Sequence, residues 1–283
     1  MCDSPGVAKG YGMKERKKSR KLSNISKLHY FKLVFRSLLL VAALVVYIVG
    51  RVQGADEPFF GFEETWYALP IWLVIVVEII LRFFPSKLES MGCQKQFKRN
   101  YQPTGETKPQ VQSWKVTALV TVLWLALNAV IGALYLFGLI DWGILFLVSL
   151  VFSVCDMICI LFFCPFQTWF MKNKCCGSCR IYNWDYAMMF TPLVFVPKLF
   201  TWSILFFALA LLVRWEITFR LHPERFAENT NRCLSCASCP EKLCHHKRQL
   251  RSFLRKNARA AQLKGNAILE KLTVGDKVNG ENE

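Results

Sequence analysis

Acid is scarce in this chain of 283 residues: 20 Asp and Glu stand against 36 Lys and Arg, for a net charge of +16. There is no Gly-rich nucleotide loop, no H-E-x-x-H pair and no Gly-x-Ser-x-Gly turn, so conventional soluble-type catalysis has no motif to rest on. The absence of C-x-x-C-H disfavours a c-type haem. A cleavable signal peptide is not apparent either, because the first apolar run starts late and ends without a small-residue cleavage site. What is abundant is apolar: 53% of residues are hydrophobic and 14% aromatic, which excludes disorder over most of the length.

The apolar residues are gathered into runs. About 20 apolar residues are needed to cross roughly 30 Å of hydrocarbon at 1.5 Å per residue. Runs at about 33–50, 66–84, 116–137 and 143–163 meet that test. A fifth, 186–213, carries Pro192, Pro197 and Lys198 in its first half and an unbroken FTWSILFFALALLV in its second; Asp185 stands just before it, where it can cap a helix. The pattern predicts an all-α integral membrane protein, a bundle of four or five transmembrane helices over 33–213. Residues 1–32 read as a basic, disordered cytoplasmic N-terminus, and 214–274 as a cytoplasmic Cys-rich module ending in an amphipathic helix. Residues 275–283 read as a disordered end.

Lys and Arg near short-loop ends are held on the cytoplasmic side. Ten of them fall between Lys9 and Arg36, inclusive, against Asp3 and Glu15, which places the N-terminus on the inner side of the cell membrane. The first four spans then alternate without conflict. The fifth does not, because a single crossing would export a tail rich in Arg, from Arg214 to Arg259. A re-entrant hairpin turning near Pro197 and Lys198 would return that tail to the cytoplasm; irregular backbone of this kind is buried in protein or lines a cavity. Both readings stand at this point.

Seven cysteines flank the fifth run: Cys175, Cys176 and Cys179 before it, and Cys233, Cys236, Cys239 and Cys244 after it. A C-x-x-C unit lets two thiolates converge on one metal from a tight turn. The run C-x-x-C-x-x-C resembles the start of a bacterial ferredoxin cluster motif, although Pro240 follows the third cysteine rather than the fourth and Cys244 arrives one residue late. That resemblance implies an iron–sulfur cluster; a closed zinc site on the same cysteines is the alternative, and disulfides on an external face are a third. In the fourth span, Cys155 and Cys159 share a helix face, and Cys164-Pro165 resembles the Cys-Pro pairs of copper-pumping ATPases, implying a soft-metal path.

Intramembrane charge is costly and marks partners or pathways. Glu78 and Arg82 are four apart and read as a helical pair; Asp156 and Lys198 are expected to be neighbours in the bundle. The basic amphipathic tail and N-terminus point to the bilayer's anionic lipid headgroups rather than nucleic acid, with a protein partner unspecified. The function expected is a membrane protein with a Cys-ligated zinc or iron–sulfur site, redox-active or structural. The alternatives are a small cation transporter or channel using Asp156 and Lys198, and a scaffold recruiting lipid or a partner.

Overall fold

The computed structural model describes residues 24–54, 59, 68–85, 91–173 and 176–235, together with Ser252, Asn257 and Gln262 in the tail. Among the described residues there are no strands; the nearest to one is a single antiparallel bridge between Pro103 and Asn231. Seven α-helices carry the described chain: α1 (Asn24–Val52), α2 (Ala68–Leu81), α3 (Met91–Gln96), α4 (Trp114–Leu136), α5 (Trp142–Leu161), α6 (Asp185–Phe190) and α7 (Leu199–Leu221). Two compact units are present, Met1–Glu241 and Lys242–Glu283. In the second, Ser252, Asn257 and Gln262 are helical and exposed; the remainder of the expected amphipathic helix, like the basic stretch 1–23 and the end 275–283, lies outside the described residues.

Among the described residues, three helices are long and apolar enough to cross a membrane, within Ser26–Val52, Trp114–Leu136 and Trp142–Leu161. Their outer surfaces are what water would not tolerate. Leu38, Leu73, Val122, Leu125, Val151, Phe206 and Leu209 are all exposed, and they come from five different helices. Apolar surface on this scale belongs against lipid or a partner, since soluble monomers show only small patches of it. Helix α1 begins well before the apolar run read from the sequence. The polar turns from Asn24 to Lys32 continue the same helix, with Ser26 and His29 buried.

Contacts at helix ends give the directions. Arg36 of α1 meets Asp156 near the end of α5, and Tyr47 meets Asp141 at its start, so α1 and α5 are antiparallel. Asp141 also caps α5, accepting from the Ile144 N–H at 2.8 Å. Trp72 donates to the Ser203 hydroxyl at 2.8 Å, while the Arg214 guanidinium donates to the Phe83 carbonyl; α2 and α7 therefore run the same way.

Between α5 and α7 the chain climbs back through short pieces: a 3₁₀ turn Arg180–Trp184, α6, and a second 3₁₀ turn Thr191–Phe195. Pro192 lacks the N–H that would continue α6 and its ring crowds the preceding turn, so the helix tightens there. The climb starts with Asp185 beside Arg82 and ends with Lys198, whose ammonium lies 4.2 Å from the Trp142 ring centre. Trp142 and Asp156 are separated by about 21 Å of helical rise on α5, so segment 180–198 spans the distance between the two ends of that helix. Thr201 locks the turn into α7: its hydroxyl donates to the Val196 carbonyl at 2.6 Å and accepts from the Lys198 N–H at 3.3 Å.

Gly132 of α4 is where the broken segment fits closest. A Cβ there would stand 2.6 and 2.8 Å from carbons of the Phe195 ring. Gly132→Ala should lower stability by about 1–3 kcal/mol through overpacking, and Phe195→Leu in the same chain should recover part of the loss. Thermal midpoints of the purified variants in detergent check this; equal midpoints for wild type and Gly132→Ala would count against the close fit.

Candidate functional site

The densest chemistry lies at the end of the bundle where α1 begins and α5 finishes. Arg36, near the start of the apolar run, donates to Glu78 at 3.1 Å, to Asp156 at 3.3 Å and to the Ser153 carbonyl at 3.1 Å. Its Nη1 also reaches the Met189 sulfur at 3.7 Å. Lys32, one turn earlier, approaches the other Glu78 oxygen at 2.5 Å. Arg82 and Asp185 touch at 2.6 Å, with both side chains almost wholly buried. Arg82 is held further by the faces of Tyr186 and Tyr182, at 4.6 and 5.9 Å from the ring centres.

Lys32, Arg36 and Arg82 with Glu78, Asp156 and Asp185 thus form one neutral group inside an apolar bundle. Neutrality is what such a place requires, because an unpaired charge there costs several kcal/mol.

Asp156 and Asp185 open on a cavity of about 140 Å³. Six of its fifteen lining residues carry sulfur: Cys155, Cys159, Cys164, Cys179, Met188 and Met189. The chain as a whole has 12 Cys and 7 Met in 283 residues, so the enrichment is several-fold. All four cysteines are thiols rather than disulfides. The helix end assembles them. Cys155 and Cys159 are on one face of α5, Pro165 keeps that helix from continuing past Cys164, and a single π-helical turn Phe166–Phe170 folds the chain back. Cys164 is held in place by accepting from the Gln167 N–H at 3.4 Å. Cys179 enters from the loop before α6 and is buried in a cluster with Val120, Met171 and Ile181.

The residues singled out in the sequence are redistributed. Glu78 and Arg82 do not pair with each other: Glu78 goes to Lys32 and Arg36, and Arg82 to Asp185. Asp156 pairs with Arg36, and Lys198 sits about 21 Å away at the opposite end of α5, so the expected Asp156–Lys198 neighbourhood is replaced. The physical reason is reach. Lys198 heads α7 at the far end, whereas α1 places a guanidinium level with Asp156. Cys179, which spacing groups with Cys175 and Cys176, faces the cavity instead. Cys233 is disulfide-bonded, and as such it is no thiolate ligand. Cys175, Cys236, Cys239 and Cys244 lie outside the described residues, as does the side chain of Cys176. Among the described residues no three His, Cys, Asp or Glu side chains are grouped as a metal site.

Three members of the charged group carry no such mark in the sequence. Lys32 and Arg36 count there with the basic N-terminus, although the place of Arg36 inside LVFRSLLL is a usable signal. Asp185 reads as a helix cap, and nothing local distinguishes it from one. No protein-family model, curated protein or solved structure matches the chain.

The geometry predicts a coupling pattern. Arg36→Met and Asp156→Asn should each destabilise, and the double variant should depart from additivity by about 0.5–3 kcal/mol. Asp156→Asn and Lys198→Met should instead add within about 0.5 kcal/mol. Unfolding of the single and double variants in mixed micelles gives both numbers, and additivity for Arg36 with Asp156 would contradict the pairing.

Proposed function

We propose that this chain is a multi-pass membrane protein with both ends in the cytoplasm, whose sulfur-lined cavity binds a soft, thiophilic monovalent cation of the Cu(I) kind. The observation that carries the reading is the gathering of four thiols and two thioethers beside two buried carboxylates. Thiolate and thioether ligands suit soft ions, zinc and iron–sulfur clusters as well as Cu(I); of these, Cu(I) is the one that a pair of sulfurs from this wall would suffice to hold. A structural zinc site needs four grouped ligands, a demand the described cavity residues do not meet. The six charged side chains beside the cavity already cancel, so a thiol that releases its proton to solvent as the ion enters would keep the site neutral.

The topology proposed is that of four spans, α1, α2, α4 and α5, followed by a hairpin made of segment 180–198 and α7. It is supported by the ends that meet. The ascending segment starts level with Asp156 and finishes level with Trp142, and α7 descends to Phe83. An even number of passages also brings Arg214 and the basic tail to the same side as the N-terminus, as the positive-inside rule asks. In that compartment thiols are normally kept reduced, so the Cys233 disulfide would be of the transient, redox-responsive kind.

The test is anaerobic titration of purified protein with Cu(I) against a competing chelator. Near-stoichiometric binding is expected, weakened about 100-fold or more by Cys159→Ser with Cys164→Ser, since loss of outer-shell partners alone costs 10–100-fold. Absence of binding would end this reading. Zinc or iron held stoichiometrically by the double variant would move the metal to the cysteine clusters flanking the fifth run, as their spacing suggests. Orientation is checked separately with an impermeant thiol reagent on intact cells: Cys176 and Cys236 should react after permeabilisation, and reaction before it would put them outside.

A further inference from the structure

A second cavity, of about 440 Å³, lies at the same end of the bundle and differs in character from the first. Its walls come from four separate stretches: the approach to α4, Lys172 and Asn173 with Ser178 and Arg180, the last turns of α7, and the segment after it. Lys172 and Arg180 bring positive charge to it and Glu228 brings negative. Arg180 is already matched, gripping Glu216 with two of its nitrogens, one of them at 3.1 Å, while stacking 4.4 Å from the Phe219 ring centre. Lys172 and Glu228 have no ion-pair partner among the described residues. Lys172 also holds a left-handed backbone, φ 51°, which a non-glycine residue adopts only when its surroundings impose it. Gln112 donates to the Met171 carbonyl, yet its own Oε1 is shut from solvent with no hydrogen to accept.

The place of this cavity narrows its occupant. Phe219, on its wall, sits on α7 between Ile217 and Leu221, both of which are exposed as lipid-facing residues are. The cavity is thus level with the point where the apolar surface of α7 ends, which is headgroup depth for a helix lying in a bilayer. From these observations we infer that the cavity is a site for a phosphate-and-ammonium zwitterion, the chemistry of a phosphoethanolamine headgroup. Lys172, with the unengaged edge of the Arg180 guanidinium, takes the phosphate; Glu228 takes the ammonium. The inference rests on the membrane reading above and is independent of the metal.

The experiment is native mass spectrometry of the full chain released from micelles holding equal amounts of phosphatidylethanolamine and phosphatidylglycerol. Retention of the ethanolamine lipid over the glycerol lipid by about fivefold is expected, the upper range for a half-exposed ion pair. Glu228→Gln should bring that ratio close to one. Lys172→Gly, which suits the left-handed backbone, should lower retention of both lipids. Both variants should bind Cu(I) as wild type does, a control that separates failure of this site from failure of the other and from misfolding. Free phosphoethanolamine is added as a competitor: displacement of the lipid supports headgroup recognition, and binding of the free compound without any lipid preference assigns the same site to a soluble zwitterion. Equal retention of both lipids with no binding of free phosphoethanolamine, or an unchanged ratio in Glu228→Gln, would overturn the inference.

Discussion

The structure depends on finding company for one guanidinium. Arg36 is charged at any accessible pH and stands in an apolar helix, so its side chain has to be answered by acceptors from neighbouring elements. Glu78 of α2, Asp156 and the Ser153 carbonyl of α5, and the Met189 sulfur of α6 supply them. These contacts come from three elements distant in sequence, and each fixes the height of its helix against α1. Sliding α1 by one turn, about 5.4 Å, would strip the guanidinium of all of them at once. Apolar packing between such helices is permissive, because lipid tails are as apolar as leucine. The charge supplies the register that the grease does not.

Other features follow from that register. With α1, α2 and α5 aligned, the carboxylates of Asp156 and Asp185 are brought to one wall of the sulfur cavity, and Arg82 is left to close the group against two tyrosine faces. The prolines act where continuity would spoil this. Pro165 bars α5 from running on past Cys164, and Pro192 tightens the climb so that Phe195 meets the bare backbone at Gly132. Beyond α7, the buried Asn231 ties the return segment to α3. It donates to the Lys95 and Arg225 carbonyls at 3.0 and 2.9 Å and accepts from the Cys233 N–H at 3.1 Å. That tie holds the segment that walls the polar cavity. Two chemically opposite cavities therefore share one end of the bundle, one sulfur-lined and apolar, the other polar and charged.

Much of the scaffold is legible in the sequence. Long apolar runs need no context to be helices, since only a helix satisfies its own backbone in lipid, and the start of the fourth run at Gly143 is next to the observed start of α5 at Trp142. The proline-broken stretch is also legible as a break. Partnership is not. Glu78 and Arg82 have ideal spacing for a local pair and ignore it, because better-placed opposite charges arrive from α1 and from the residue before Tyr186. Cys179 belongs by spacing to Cys175 and Cys176 and by position to Cys155, Cys159 and Cys164.

The amino-acid order alone shows a helical, membrane-type chain, where its long apolar runs lie, and how its charge is divided between ends. Those properties are local, written in composition and periodicity. The tertiary structure alone decided which charge answers which, that Lys198 and Asp156 belong to opposite ends, and that thiols from two parts of the chain line one cavity. Such choices depend on the relative height and rotation of helices, set by a few long-range polar contacts whose partners lie as many as 120 residues apart, as Arg36 and Asp156 do.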